Sequence, residues 1–228
     1  MAKVTHGKRY RADAEVVPQT PQSVVEAVKV IKKFKPLKFD QTVELTLWLG
    51  IDPKQADQAM RGSISLPHGV GRSKKVIAFC EGDLAAAAKA AGAIEAGGDE
   101  LIAKVQGGWM DFDVAIAVPT LMRTVSKLGR VLGPAGKMPS PKSGTVVEDV
   151  ATAVREYAAG KIEYRNDDFG NIHVPVGKVS FEEAKLVENI EAFITRMRAL
   201  KPATSKGEYI KRACLKATMT PSIMLDVK

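Results

Sequence analysis

KKVIAFC (residues 74–80) and DVAIAVP (113–119) decide the fold, because both are continuously apolar. Strands buried on both faces have this pattern, whereas half-buried strands alternate apolar and polar residues. Between the two runs, an Ala-rich helix ends at Gly92, and a second short helix is predicted near 99–106. Strands that alternate with helices indicate a small parallel sheet with both faces covered.

The segment after these strands is a mixture of helix and loop. PTLMRTVSKLG (119–129) is predicted to be helical, with Pro at its start and Gly at its end. The irregular stretch 129–146 contains four Gly and three Pro, and loops of this length are usually functional or mobile. A helix is predicted over 147–160.

Both flanks of this middle region have a different pattern. On the N-terminal side, we predict a helix that begins at Thr20-Pro21 and ends before Pro36, then an alternating strand over 42–51 and a short strand within 61–71. On the C-terminal side, 161–177 indicates a strand, a turn and a strand. Ser180 and Glu183 indicate a capping box that opens a long helix, with Ala184, Val187, Ile190, Ile194 and Met197 as its buried stripe. Two strands separated by Pro221 are predicted within 207–227.

The positive charge lies at the two ends of the chain. Residues 1–40 carry nine Lys/Arg and four Asp/Glu (9 − 4 = +5), and residues 196–228 carry eight and two (8 − 2 = +6). The total is +8, so the middle carries 8 − 11 = −3. We therefore predict a discontinuous α+β domain from 1–68 and 160–228, with an α/β domain inserted at 69–159. The two crossings predict a hinge near 67–71 and 160. The basic ends favour binding to a phosphate backbone.

Several functional classes are disfavoured. No apolar run is long enough to span a bilayer, and the basic N-terminal stretch does not resemble a secretory signal, so a cytoplasmic protein is expected. His and Cys lack metal-ligand spacing, and Cys80 and Cys214 are expected to be buried, reduced thiols. GPAGKMPS (133–140) departs from a phosphate-binding loop, and the carboxylate clusters suit turns and helix ends. We expect no catalysis, cofactor or metal.

Aromatic and edge residues are the remaining candidates. Trp48 and Trp109 have the chemistry of base-stacking platforms, but their surroundings favour packing roles. Polar and basic residues gather where elements end, in KFDQT (38–42), YRND (164–167) and ATMTP (217–221). Lys and Arg there suit phosphates, Thr suits ribose hydroxyls, and Phe or Met suits sugars and bases. Each segment alone fits an ordinary turn equally well.

Together, long segments of the chain resemble the family of bacterial large-subunit ribosomal protein one, the protein of the mobile stalk beside the tRNA exit site. The segments are HGKRYR (6–11), KFDQTVEL (38–45), LGIDPKQADQAMRGSISLPHGVGR (49–72), GWMDFDVAIAVP (108–119), KLGRVLGPAGKMPSPKSGTV (127–146), GKIEYRNDDFGNIHVPVGK (160–178) and TMTPS (218–222).

The resemblance implies a split β-α-β terminal domain and an inserted three-layer, Rossmann-like α/β domain. It also implies a monomer when free, located on the cytoplasmic ribosome, that binds large-subunit rRNA. Further implied partners are its own operon mRNA, whose translation it represses, and exit-site tRNA, whose release it assists. No membrane role is implied.

Carried onto this chain, the rRNA contacts fall on Lys38, Phe39, Thr42, Arg165, Asp167, Thr218 and Met219, with Lys8 and Arg9 as phosphate contacts. The family usually has Gly where this chain has Thr220. Either the local path shifts there or the hydroxyl replaces a contact. Lys137 and Lys142 suit a second RNA surface. Two alternatives stay open, a generic nucleic-acid binder or chaperone without autoregulation, and a phosphate-binding enzyme built on the inserted domain.

Overall fold

A computed structural model of the protein describes residues 6–55 and 57–227. The chain divides into two compact units. Unit 1 comprises Met1–Met60, Leu66–Gly71 and Tyr164–Lys228, and unit 2 comprises Arg61–Ser65 and Arg72–Glu163. The described residues form a mixed α/β protein with a four-stranded, a three-stranded and a two-stranded sheet.

The elements follow the chain order. The helices are α1 (Lys8–Val16), α2 (Val24–Lys33), α3 (Asp83–Ala90), α4 (Asp99–Gln106), α5 (Met122–Val125), α6 (Gly129–Leu132), α7 (Val150–Ala158) and α8 (Glu183–Ala199). The strands are β1 (Thr42–Leu49), β2 (Arg61–Ile64), β3 (Val76–Phe79), β4 (Glu95–Gly97), β5 (Val114–Ala117), β6 (Ile162–Arg165), β7 (Asn171–Lys178), β8 (Ile210–Ala217) and β9 (Ile223–Leu225).

Unit 1 is built on an antiparallel sheet with the order β7-β1-β8-β9. The alternation predicted for β1 is confirmed, since Val43, Leu45, Leu47 and Leu49 are all buried. Helices α2 and α8 pack against each other and against this sheet. The intervening residues of β1 therefore lie on the outer face of the sheet.

Unit 2 contains the parallel sheet β4-β3-β5. All four residues of β3 and all four of β5 are buried, as their continuous apolar runs predicted. Val76 and Ala78 pack in one core cluster with residues of α3 and α7, and Ile77 and Phe79 pack in another with residues of α4. Helices therefore cover both faces of this sheet.

Two predicted helix starts are wrong. Helix α2 begins at Val24, and its capping box consists of Ser23 and Glu26, whereas the sequence had suggested a start at Thr20-Pro21. Helix α8 begins at Glu183, and its N-cap residue is Glu182, which makes no side-chain cap hydrogen bond, while the Ser180 hydroxyl donates to Asp40 Oδ2 at 2.7 Å. A serine followed three residues later by glutamate is thus not sufficient evidence for a capping box, because the helix can begin at a different residue.

Other differences concern single elements. The buried face of α8 comprises Leu186, Asn189, Ile190, Phe193, Ile194 and Met197, while Ala184 is exposed and Val187 only half-buried. The strand, turn and strand predicted over 161–177 are confirmed as β6 and β7, although β6 pairs with β2. The helix predicted over 119–129 is broken into short 3-10 and α segments. Helix α1 and strand β4 were not predicted.

Candidate nucleic-acid interface

One end of the four-stranded sheet brings several of the predicted contact residues together. Thr42, the first residue of β1, pairs with Lys178, the last residue of β7. The next residue, Val43, pairs with Ala217, the last residue of β8. Thr218 and Met219 follow directly after β8, so they lie at the same end. We call the group Gln41, Thr42, Lys178, Thr218 and Met219 the Thr42 edge.

Hydrogen bonds fix the two threonines of this edge. The Thr42 N–H donates to Thr218 Oγ1 at 3.1 Å, and the Thr218 hydroxyl donates to the Thr42 carbonyl at 3.3 Å. Lys178 Nζ donates to Thr42 Oγ1 at 2.8 Å. A hydroxyl offers one donor and two acceptor positions. Thr42 therefore retains its O–H donor and one lone pair for an outside partner, and Thr218 retains one lone pair.

The turn that carries Met219 is held from two sides. The Met219 N–H donates to Oε1 of buried Gln41 at 3.1 Å, and Arg9 Nη2 donates to the Met219 carbonyl at 2.7 Å. The Met219 side chain is nevertheless 53% exposed, and Phe39, just before the edge, is 49% exposed. Large apolar side chains held in water beside fixed polar groups are typical of a contact surface.

The N-terminal residues of the predicted basic arm contribute through α1. Residues 1–5 lie outside the described part of the chain. Lys8 is exposed at the start of the helix, whereas Arg9 is half-buried. Arg9 Nη1 is buried without a hydrogen-bond partner among the described residues, so this guanidinium is only partly satisfied by Met219. Arg9 thus supports the turn after β8 from within unit 1.

Arg165 and Asp167 do not lie at the Thr42 edge. Asp167 bonds to Asn171, which pairs with Trp48 near the far end of β1. Trp48 lies six positions after Thr42, a distance of about 20 Å along a strand. Arg165 is exposed at the end of β6, and Lys38 is exposed near the beginning of β1. The predicted contact residues therefore form two groups on unit 1.

Asp167 organises the turn before β7. Its Oδ1 accepts from the N–H groups of Phe169 at 2.9 Å and Asn171 at 2.7 Å, and its Oδ2 accepts from Asn171 Nδ2 at 2.9 Å. Burial acts to raise the pKa of Asp167, but the hydrogen bonds from Asn171 and Phe169 outweigh it and hold the pKa of this carboxyl below its ordinary value.

Thr220 is only 7% exposed, and its hydroxyl makes hydrogen bonds within the protein. Thr220 Oγ1 accepts from the Ala217 N–H at 2.9 Å and lies 3.3 Å from the Ala217 carbonyl and 3.2 Å from the Pro221 carbonyl, which can accept its proton. The residue that departs from the family pattern thus fills the turn beneath Met219. Its side chain does not project from the edge.

The two lysines proposed for a second RNA surface differ. Lys137 Nζ donates to the carbonyls of Met110 and Phe112 and lies 5.0 Å from the centre of the Phe112 ring. Its charge is therefore directed into unit 2. Lys142 is exposed in a 3-10 turn (Pro141–Ser143) of the same unit.

Sequence reasoning missed Lys178 and misjudged Trp48. Lys178 gave no local signal, because its role depends on pairing with a strand more than a hundred residues away. Trp48 was expected to pack, but it is 41% exposed. The alternation of buried residues in β1 could have placed Trp48 on the outer face. Trp109 is half-buried and packs against the cluster around Phe112, which fits its predicted packing role.

The two cysteines, possible metal ligands and possible membrane-spanning helices were each considered within residues 6–55 and 57–227. Cys80 is buried and Cys214 half-buried, both are free, and burial raises the pKa of both thiols. In these residues no group of three or more His, Cys, Asp or Glu is arranged to hold a metal ion. No helix within them combines the length and apolarity needed to cross a bilayer.

The fold and the edge together define the class of the protein. It is a basic mixed α/β protein that presents fixed hydroxyls, a lysine and exposed apolar side chains at one end of a sheet. The model of the ribosomal protein L1p/L10e family matches residues 31–221, and the chain belongs to this family. It is therefore a ribosomal protein of an rRNA-binding, structural family rather than a member of an enzyme family.

Proposed function

We propose that the Thr42 edge binds a structured site on large-subunit rRNA at the mobile stalk near the tRNA exit site. The observation that carries this proposal is the reciprocal bonding of Thr42 and Thr218 with Lys178 beside them. The hydroxyl positions that remain free suit ribose 2′-OH groups, while Lys38 and Lys178 suit phosphates. Phe39 and Met219 supply apolar area for sugars and bases.

A titration against a stalk-base rRNA fragment tests the proposal, with a scrambled fragment as the RNA control. The wild-type protein is expected to prefer the folded fragment strongly. Thr218→Val keeps the side-chain shape but removes the hydroxyl, and it should weaken binding about 5- to 30-fold, the effect of one or two hydrogen bonds. Thr20→Val, at an exposed threonine remote in sequence from the edge, should bind like wild type. Equal binding to both fragments would instead support the generic nucleic-acid binder.

Autoregulation is part of the same proposal. An mRNA leader that reproduces the folded rRNA site would occupy the same edge, so the two RNAs should compete. A translational reporter under the leader of the protein's own operon should be repressed by the wild type and derepressed by Thr218→Val. Repression that survives this substitution, while rRNA binding is lost, would separate the two activities and contradict a shared edge.

Assistance of tRNA release is proposed for unit 2. Residues 114–147 contain five Lys/Arg (Arg123, Lys127, Arg130, Lys137 and Lys142) and no Asp/Glu. All five except Lys137 are exposed, which suits a phosphate backbone. Lys142→Ala combined with Arg130→Ala should weaken binding of deacylated tRNA while leaving stalk-base binding unchanged. The pair Lys29→Ala and Lys33→Ala, at exposed lysines of α2 in unit 1, is the matched control, and equal losses from both pairs would contradict this assignment.

A further inference from the structure

We propose that Trp48 and Phe169 form an aromatic pair that stacks on unpaired bases of single-stranded RNA. The pair lies at the end of β1 opposite to the Thr42 edge. The proposal rests on the proposed rRNA-binding function and adds a second contact region to unit 1. Its chemistry differs from that of the edge, because stacking recognises splayed bases and not the shape of a folded helix.

The backbone positions that carry the two rings are neighbours by strand register. Trp48 pairs with Asn171, and Phe169 is two residues before Asn171 in the turn. The Leu49 N–H donates to the Gly170 carbonyl at 2.9 Å, which joins this turn to β1. Phe169 is 80% exposed, the largest exposure of any large apolar side chain among the described residues. Both rings are therefore exposed, and neighbouring backbone segments at this end of β1 carry them.

The backbone that carries each ring is held by hydrogen bonds. The hydrogen bonds of Asp167 to Phe169 and Asn171 hold the turn that carries Phe169. Trp48 projects from β1, one of the two central strands of the sheet, and Lys211 Nζ lies 5.1 Å from the centre of its ring. Lys211 covers part of the ring as a cation–π partner. A stacking platform gains affinity from this order, because little conformational freedom is lost when a base binds.

The charges nearby favour RNA over an apolar protein partner. Residues 201–212 contain Lys201, Lys206, Lys211 and Arg212 against Glu208 alone, so 4 − 1 = +3. Arg212 pairs directly with Trp48, and Arg165 is exposed at the end of β6. The turn itself carries two carboxylates, Asp167 and Asp168, which only partly offset these cations. Exposed aromatic rings among cations are the combination that binds single-stranded nucleic acid.

The test uses the full chain and an octa-adenylate RNA. Isothermal titration calorimetry gives the affinity of every variant, and Trp48 fluorescence follows stacking where Trp48 is present. The sequence has two tryptophans, so Trp109→Phe leaves Trp48 as the only one. In this background, octa-adenylate should quench the emission. Trp48→Ala and Phe169→Ala should each weaken octa-adenylate binding about 5- to 100-fold, the effect of one lost base stack, and Trp48→Phe should retain most of the affinity. Leu84→Ala, at a side chain with 42% exposure in unit 2, is the matched control.

Each outcome is decisive. Unchanged octa-adenylate affinity in both alanine variants, or emission that RNA does not quench, overturns the stacking pair, while stalk-base binding would still stand as a separate result. If the wild type did not bind the stalk-base fragment, the proposed function would be overturned. The quenching by octa-adenylate would then decide the stacking pair by itself. Self-association that Phe169→Ala abolishes, without any quenching, would make the pair a protein contact.

Discussion

At the scale of single residues, Thr220 links the turn after β8 to the stability of unit 1. Its hydroxyl accepts from the Ala217 N–H, and the backbone has no positive φ at this residue, so glycine has no conformational advantage there. Thr220→Gly should lower the free energy of unfolding by about 1–3 kcal/mol, since a buried N–H loses its acceptor. Urea denaturation measures this loss.

The affinity for RNA distinguishes two roles for Thr220. Because the side chain is buried beneath Met219, Thr220→Gly should bind the stalk-base fragment nearly as well as the wild type does. A large loss of affinity at unchanged stability would show that the hydroxyl itself contacts RNA. Ser222→Gly, at an exposed residue two positions further along, controls for added backbone freedom.

Asp167 predicts a dependence of stability on pH. Its folded pKa lies below the ordinary value, so the carboxylate stabilises the fold above the unfolded pKa of about 3.9, and this contribution is lost as pH falls through the folded pKa. Asp167→Asn should therefore cost roughly 1 kcal/mol or less at pH 7, a modest value because solvent screens a partly exposed group. The difference should shrink towards pH 2.

Urea denaturation of the wild type and of Asp167→Asn at several pH values measures this difference. Asp168→Asn, at the exposed neighbouring aspartate, is the control and should not change stability at pH 7. A difference between wild type and Asp167→Asn that stays constant from pH 7 to pH 2 would show that the charge of Asp167 does not stabilise the turn.

At the scale of elements, α2 depends on its capping box. The Ser23 hydroxyl accepts from the Glu26 N–H at 3.3 Å, and the Glu26 carboxylate accepts from the Ser23 N–H at 3.3 Å. Ser23→Ala should lower the free energy of unfolding by about 1 kcal/mol. Thr20→Ala, which changes the cap suggested by sequence alone, should cost much less. Thermal denaturation of both variants ranks the two positions, and the opposite order would restore Thr20 as the cap.

The elements also show how far local sequence can be interpreted. The continuous runs in β3 and β5 and the alternation in β1 were predicted correctly, because burial imposes these periods on the strand itself. Asn189 shows the limit. It is fully buried on α8, where its Nδ2 donates to the carbonyls of Gly69 at 2.9 Å and Val176 at 2.8 Å. A pattern based on hydrophobicity assigns such a polar residue to the surface, because its partners come from distant segments.

Local sequence also predicts the candidate site only in part. The residues of KFDQT and ATMTP were recognised by their type at the ends of elements, and the register of β1 with β7 and β8 brings Thr42 and Thr218 together. Lys178 and Gln41 complete the edge through contacts across more than a hundred residues. Residue types thus indicate an interface, whereas its composition depends on strand pairing, which no single segment encodes.

At the scale of the whole molecule, the charge is concentrated in unit 1. This unit carries 21 Lys/Arg and 15 Asp/Glu (21 − 15 = +6), and unit 2 carries 13 and 11 (13 − 11 = +2), which together give the net +8. Three quarters of the net charge thus belongs to the unit with the Thr42 edge. Phosphates neutralised by this unit should release counterions, so affinity for the stalk-base fragment should fall steeply with salt.

The salt dependence can assign this charge to particular lysines. In a plot of log affinity against log salt concentration, each phosphate contact contributes about 0.9 to the slope for duplex nucleic acid. Lys38→Ala should therefore reduce the slope by about 1 as well as weaken binding, because Lys38 is exposed and directly precedes Phe39, just before the edge. Lys29→Ala removes an equally exposed lysine from α2 and should leave the slope unchanged. If both variants reduced the slope equally, attraction would come from the net charge of unit 1 as a whole, and the edge would contribute shape without its own phosphate contacts.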